Sequence, residues 1–257
     1  MTKSLRPILL LVATTLASAA SLYSEGATVE PTADDILTAY VEAAGGFASL
    51  DAVRSLRRSG ALTLEGALTG VVRGRIEIVI DPRKRIRTAT DLGAFSTTTA
   101  WDGTSAWESG PAGFRWLQGE ELEGLRGQSD LLMAIELTRS PDHRAIRLED
   151  REIDGTSHYA LRVERRALEG EDGSELMTLY LDQDTGLLTQ AVVPVTIPGV
   201  GDLVAVMDYR QHEAIVLPDA IGLAIEGVYS LEMAFDETVL DGPIDDQDFT
   251  PPKDASR

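Results

Sequence analysis

The sequence predicts a mainly β fold with helices (α+β), in which one curved antiparallel sheet carries helices against one face. Three observations predict it. Apolar residues recur at helical spacing only around residues 32–55 and 119–138, whereas most other patterned runs alternate with a period of two. The alternating runs are separated by short turns rich in Gly, Asp and Pro, as an antiparallel meander requires. The chain has 257 residues, 43% of them hydrophobic, which is enough to bury a sizeable core.

Residues 1–20 read as a secretory signal peptide. Lys3 and Arg6 precede the apolar run ILLLVATTLA (8–17), and the small residues Ala17, Ser18, Ala19 and Ala20 follow. The run is well short of the roughly 20 apolar residues that span a bilayer. Cleavage after Ala19 or Ala20 places the protein in the periplasm or outside the cell and takes the net charge from −19 to about −21. A flexible leader (21–31), a single domain (32–252) and a short tail (253–257) complete the organisation. No cysteine is present, so neither a disulfide nor a lipid-anchoring lipobox is possible. No later segment approaches membrane-spanning length, and the reading is of a monomer that is not an integral membrane protein.

The segment TADDILTAYVEAAGG predicts the first helix. Thr32 is placed to cap it, Asp34 and Asp35 sit in the first turn, and Gly45-Gly46 stop it. Phe47 to Ser55 forms a second short helix. Strands follow through Leu62, Leu64, Val71, Val72, Ile76, Ile78 and Ile80, with Gly66, Gly70 and Gly74 as turns or bulges. Asp81-Pro82 closes that hairpin, Arg85 to Leu92 starts the next strand, and turns at Asp102-Gly103, Gly110-Pro111 and Gly113 bound short strands. Residues 119–138 predict one or two inserted helices. Strands resume at 144–153, 157–168, 175–182, 187–195, 201–212 and 220–235, and the tail from Asp241 is acidic and Pro-rich.

With 42 acidic against 23 basic residues, the chain lacks the basic face that nucleic acid or anionic lipid would need. The only histidines, His143, His158 and His212, lie far apart in sequence, so no zinc spacing is present. Gly103-Thr104-Ser105-Ala106-Trp107 fails as a nucleophile elbow at its last position. Gly199-Val200-Gly201 lacks the third glycine of a dinucleotide loop, and Asp182-Gln183-Asp184-Thr185-Gly186 fits a hairpin turn better than a calcium loop. The reading is therefore of a protein that is not an enzyme, with no cofactor and no metal site. Aromatic residues make up only 5% of the chain, yet Phe95, Trp101, Trp107, Phe114 and Trp116 fall close together, just before Leu131, Leu132 and Met133. They form either a packed core under a helix or an apolar cavity between a concave sheet and a helical lid.

The segment ILTAYVEAAGGFASLDAVRSLRRSGALTLEG (36–66) resembles the N-terminal signature of the LolA/LolB-like lipoprotein-carrier superfamily. WDGTSAW (101–107), LYLDQDTGLL (179–188), MDYRQHEAIVLPDAI (207–221) and DDQDFTPP (245–252) are similar to later elements of the same family. The resemblance implies an incomplete β-barrel of about eleven antiparallel strands with helices on its concave side. It also implies a periplasmic carrier or chaperone for lipoproteins or another acylated, lipid-like cargo, with an envelope protein as a further partner. On that reading the eight residues from Phe95 to Met133 line the cavity, and Trp107→Asp or Leu132→Asp weakens ligand binding in a folded protein. The alternative is an envelope sensor or interaction module of the same fold, resembling RseB, without carrier activity. N-terminal sequencing of the exported protein is expected to start at Ala20 or Ser21, and an intact Met1 in that material would overturn the signal-peptide reading.

Overall fold

The first helix begins where its sequence can satisfy its own free backbone groups. In the computed structural model, which describes residues 30–66, 70–81, 85–119, 121, 122, 125, 143–165, 175–195 and 201–252, helix α1 spans Ala33–Ala43. The backbone N–H of Asp35 donates to Thr32 Oγ1 (3.2 Å), and the Thr32 N–H donates to Asp35 Oδ2 (2.9 Å). This reciprocal box fixes the start of the helix. Ile36, Leu37, Tyr40 and Val41 line its buried face. Gly45 ends it at φ 119°, where a Cβ would lie 2.5 Å from the carbonyl oxygen of Ala214. Only glycine permits that approach, and it lets the Val216 N–H donate to Ala44 O (2.9 Å). Helix α2 (Gly46–Ala52) follows at once and buries Leu50.

Among the described residues, fourteen strands, all paired antiparallel, form one sheet. In chain order these are β1 (Leu56–Gly66), β2 (Gly70–Ile80), β3 (Ile86–Asp91), β4 (Thr97–Trp101), β5 (Ala106–Gly110), β6 (Gly113–Leu117), β7 (His143–Arg147), β8 (Arg151–Ile153), β9 (Thr156–Arg165), β10 (Glu175–Asp182), β11 (Leu188–Val193), β12 (Leu203–His212), β13 (Ile215–Ile225) and β14 (Tyr229–Leu240). The order across the sheet is β6-β5-β4-β3-β2-β1-β14-β13-β12-β11-β10-β9-β7, with β8 beside β9. The sheet is a meander running outward on both sides of one central pair, β1 with β14, and it does not close into a barrel.

The strand count exceeds the expected eleven or so for identifiable reasons. Residues 144–153 divide into β7 and β8. The run 220–235 is two strands, because Val228 donates its N–H to Ile225 O (3.0 Å) across a turn with Gly227 at φ 72°. The preceding turn has no glycine: Glu213 adopts φ 51°, with Gln211 Nε2 donating to its carbonyl oxygen (2.8 Å). Pro218 lies within β13 because β14 pairs that strand only from Ala220 onward, and a bulge at Asp208/Tyr209 accommodates it. The expected signal peptide, nearly all of the leader and most of the inserted segment 119–138 lie outside the described residues; Glu121, Leu122 and Leu125 are helical.

One apolar cluster joins both ends of the sheet. Leu37, Tyr40 and Val41 share it with Ala106 of β5 and Leu117 of β6 on one side, and with Leu161 of β9 and Leu179 of β10 on the other. Strands so distant in sheet order can share one cluster with a helix only if the sheet curves, so the face carrying α1 is concave. This face is termed inner below.

The outer face is crossed by the C-terminal segment. The Arg54 N–H donates to Asp241 Oδ1 (2.6 Å) and Ser55 Oγ donates to Gly242 O (2.7 Å), which turns the chain back over β1. Arg57 then pairs with Asp248 (2.8 Å), Arg85 pairs with Asp246 (2.7 Å), and the Arg85 guanidinium stacks on the Phe249 ring at 4.3 Å. Trp107 Nε1 donates to Phe249 O (3.0 Å). Phe249 is 1% exposed and closes this strap. Beneath it Glu77 accepts from Arg57 (2.5 Å) and Arg87 (2.6 Å). Partial burial raises the Glu77 pKa, but these hydrogen bonds outweigh it and hold the carboxyl below its ordinary 4.5.

Two outcomes follow from the outer face. Phe249→Ala is expected to lower stability by about 3 kcal/mol, read from the denaturant midpoint. A carboxylate with a depressed folded pKa stabilises above its ordinary value and loses that contribution as the pH falls through the folded one. Glu77→Gln should therefore flatten the loss of thermal stability below pH 4.5 relative to the parent protein, and an unchanged acid profile would count against this pairing.

Candidate functional site

The inner face continues beyond α1. On β1, the residues alternating with Leu56 toward the strand end are Arg58, Gly60, Leu62 and Leu64. Leu62 is paired with Gly74 of β2 on one side and Met233 of β14 on the other; Leu64 is paired with Val72 and Leu231. A second apolar cluster results. Leu62, Ile76, Leu92 and Phe235 are buried, and Leu64, Val72, Ile221, Leu231 and Met233 are half-buried against them. No residue of α1 joins this cluster, in contrast to the first. Gly74 keeps a side chain out of its centre; a Cβ there would lie 1.7 Å from Asp91 O.

A polar group stands between the two clusters. Arg58 is 5% exposed, and its guanidinium lies 3.9 Å from the centre of the Phe235 ring. Arg58 Nε donates to Thr238 Oγ1 (3.2 Å) and Nη2 donates to Asp219 Oδ1 (3.3 Å). The same carboxylate faces His212 Nε2 (3.2 Å) and Arg210 Nε (3.0 Å). Burial pushes the Arg58 pKa down to about 10 against the opposing pull of Asp219, so the side chain stays charged at neutral pH. The group occupies the place where β13 and β14 part, since their pairing ends at Ala220 and Ala234.

Deeper under α1, the Tyr40 and Tyr209 hydroxyls meet at 3.0 Å, and Tyr209 also donates to Met207 Sδ (4.0 Å). Burial raises the Tyr40 pKa to about 12 despite the hydrogen bond, and burial also raises that of Tyr209. Both phenols remain protonated at neutral pH and satisfy each other rather than acting as a base. Among the described residues, no group of three or more His, Asp or Glu side chains could hold a metal ion. Asp182 makes the turn read from the sequence: its Oδ1 accepts from the Asp184 N–H (2.9 Å) and the Thr185 N–H (2.7 Å).

The aromatic residues singled out in the sequence divide between the two faces. Trp107 pairs across strands with Trp116, Phe114 stacks on Trp107 with ring centres 6.2 Å apart, and Phe114 meets Trp116 edge-on at 5.2 Å. These three lie on the outer face, next to the strap. Trp101 pairs with Ala106 on the inner face and packs against the first cluster. Phe95 is half exposed, on the 3₁₀ turn Gly93–Phe95. Leu131, Leu132 and Met133 lie outside the described residues. Because Trp107 is 3% exposed and anchors the strap, its replacement by Asp reads out folding together with any binding. Arg58, Asp219, Phe235 and Met233 were not singled out in the sequence. The signal for Arg58 was present in Leu56-x-Arg58-x-Gly60-x-Leu62-x-Leu64, an arginine at an inward position of an otherwise apolar series.

No protein-family model matches the chain, and no curated protein matches its sequence. Solved structures do share its fold. A DUF1329 family protein from Desulfovibrio piger is similar at TM-score 0.58 and 11% identity, over 85% of this chain and 97% of that one. A LolA superfamily protein from Nitrosomonas europaea is similar at 0.57 and 13%, over 86% and 98%. An outer membrane lipoprotein-sorting protein domain from Vibrio parahaemolyticus is similar at 0.52 and 11%, over 84% and 95%. At such identities the likeness is one of fold. The chain has a LolA/LolB-like fold.

Proposed function

We propose that the protein is an exported binding protein that carries an acylated or otherwise lipid-like ligand against the inner face of its sheet. The observation that carries this reading is the second apolar cluster, in which Leu64, Val72, Ile221, Leu231 and Met233 stay half-buried on a concave surface that α1 does not join. The LolA/LolB-like fold supports the reading, since one relative of that fold is described as a lipoprotein-sorting domain. The physics is coherent, because each acyl CH₂ removed from water is worth about 0.8 kcal/mol and a lipid crossing an aqueous compartment needs an apolar surface. The signal peptide read in residues 1–20 supports a site for this activity in the periplasm or outside the cell.

Binding of a fluorescent fatty-acyl probe tests the proposal. The parent protein should bind it, and Leu64→Asp or Met233→Asp should weaken binding by at least about tenfold while the far-ultraviolet circular dichroism stays unchanged. Unchanged affinity in both variants would remove the inner face as the site. Failure of the parent protein to bind would favour the protein-interaction alternative.

A further inference from the structure

Arg58 is a buried cation in a strongly acidic protein, and its counter-charge is shared. Asp219 faces Arg58 at 3.3 Å, His212 at 3.2 Å and Arg210 at 3.0 Å, so two guanidinium groups and an imidazole surround one carboxylate. The Arg58 contact is the longest of the three. A guanidinium has five N–H groups. Those of Arg58 donate to Thr238 and Asp219, and three N–H groups have no acceptor among the described residues. Phe235 covers one face of the guanidinium plane, which leaves its edge as the direction in which an acceptor can approach.

Position matters as much as charge. Arg58 and Leu62 project from the same face of β1, four residues or about 13 Å apart. The cation therefore borders the apolar cluster on the same face of the sheet. A ligand whose hydrocarbon part lies on the half-buried Leu64 and Met233 would bring its other end toward Arg58.

We infer that the ligand is an anionic amphiphile whose oxyanion headgroup pairs with the Arg58 guanidinium while its chain lies on the second apolar cluster. This inference rests on the binding reading above and adds the chemistry of the headgroup. The oxyanion supplies the acceptors that Arg58 lacks, and a planar guanidinium suits a carboxylate or a phosphate equally. Asp219 then retains Arg210 and His212, so its own charge stays paired.

The test compares three competitors with the same chain, namely palmitate, hexadecyl phosphate and hexadecanol, against a fluorescent acyl probe on the mature protein. Palmitate, hexadecyl phosphate or both should displace the probe at least about tenfold more effectively than hexadecanol, and the stronger anion identifies the headgroup. Arg58→Met should abolish that preference and leave hexadecanol unchanged. Equal displacement by all three, or a preference that survives Arg58→Met, would overturn the headgroup assignment and leave the carrier reading standing. Failure of all three to displace a bound probe, or of the probe to bind, would remove both. If Arg58→Met does not fold, Asp219→Asn decides. Freeing Arg58 from its competitor should strengthen the anions and spare hexadecanol, and an unchanged or weaker anion affinity would overturn the assignment.

Discussion

The structure depends on the burial of one helix face by strands from opposite ends of an open sheet. Ile36, Leu37, Tyr40 and Val41 are each 3% exposed or less, and burying such side chains is worth about 1.5–3 kcal/mol apiece. That gain is available only if β5 and β6 curl toward β9 and β10, since these pairs share no hydrogen bonds with one another. The curvature is thus set by a helix about three turns long rather than by ladder closure. The Thr32–Asp35 box and the close turn at Gly45 locate both ends of that helix, which explains why so short an element can shape so large a sheet.

The same arrangement divides labour between the two faces. The outer face is held by ion pairs and the C-terminal strap, with Glu77 between Arg57 and Arg87 and with Phe249 under Arg85. The inner face carries the two apolar clusters, and Arg58 stands between them beside Phe235. A buried guanidinium with an imperfect partner is costly to keep, and replacement by an apolar side chain is the usual alternative in a core. At the parting of β13 and β14 its neighbours are polar (Thr238, Asp219 and His212), which lowers that cost and ties two strands whose ladder has ended.

Much of this architecture was legible in the sequence because it is locally encoded. Thr32, Asp34 and Asp35 announce the first helix, Gly45-Gly46 its end, and Asp102-Gly103 and Asp182-Gln183-Asp184-Thr185-Gly186 their hairpins. The strand end at His212 was legible, but the next strand starts at Ile215 and not at 220, because the turn is made tight by Glu213 in a left-handed conformation, which no composition rule marks. The long run 220–235 hid a turn because Glu226-Gly227-Val228 interrupts an apolar series only briefly. The aromatic residues between 95 and 116 looked like one group along the chain. Strand alternation assigns Trp101 and Trp107 to opposite faces, and the partner of Trp107, Phe249, lies 142 residues away. The Arg58–Asp219 pair spans 161 residues and a β-bulge, so only the fold could bring it together.

The central pair of the sheet has a consequence for the order of assembly. β1 and β14 are joined along their whole length, yet they come from opposite ends of the folded unit. Hairpins on either flank can form as soon as their own residues are present, whereas this seam needs a contact across most of the polypeptide. Such distant closure is slow to find. Until β14 arrives, β1 presents an open edge, and the segment that will become the strap has no surface to cross. A chain built in this way holds its flanking hairpins in reserve, and its last strand finishes the fold.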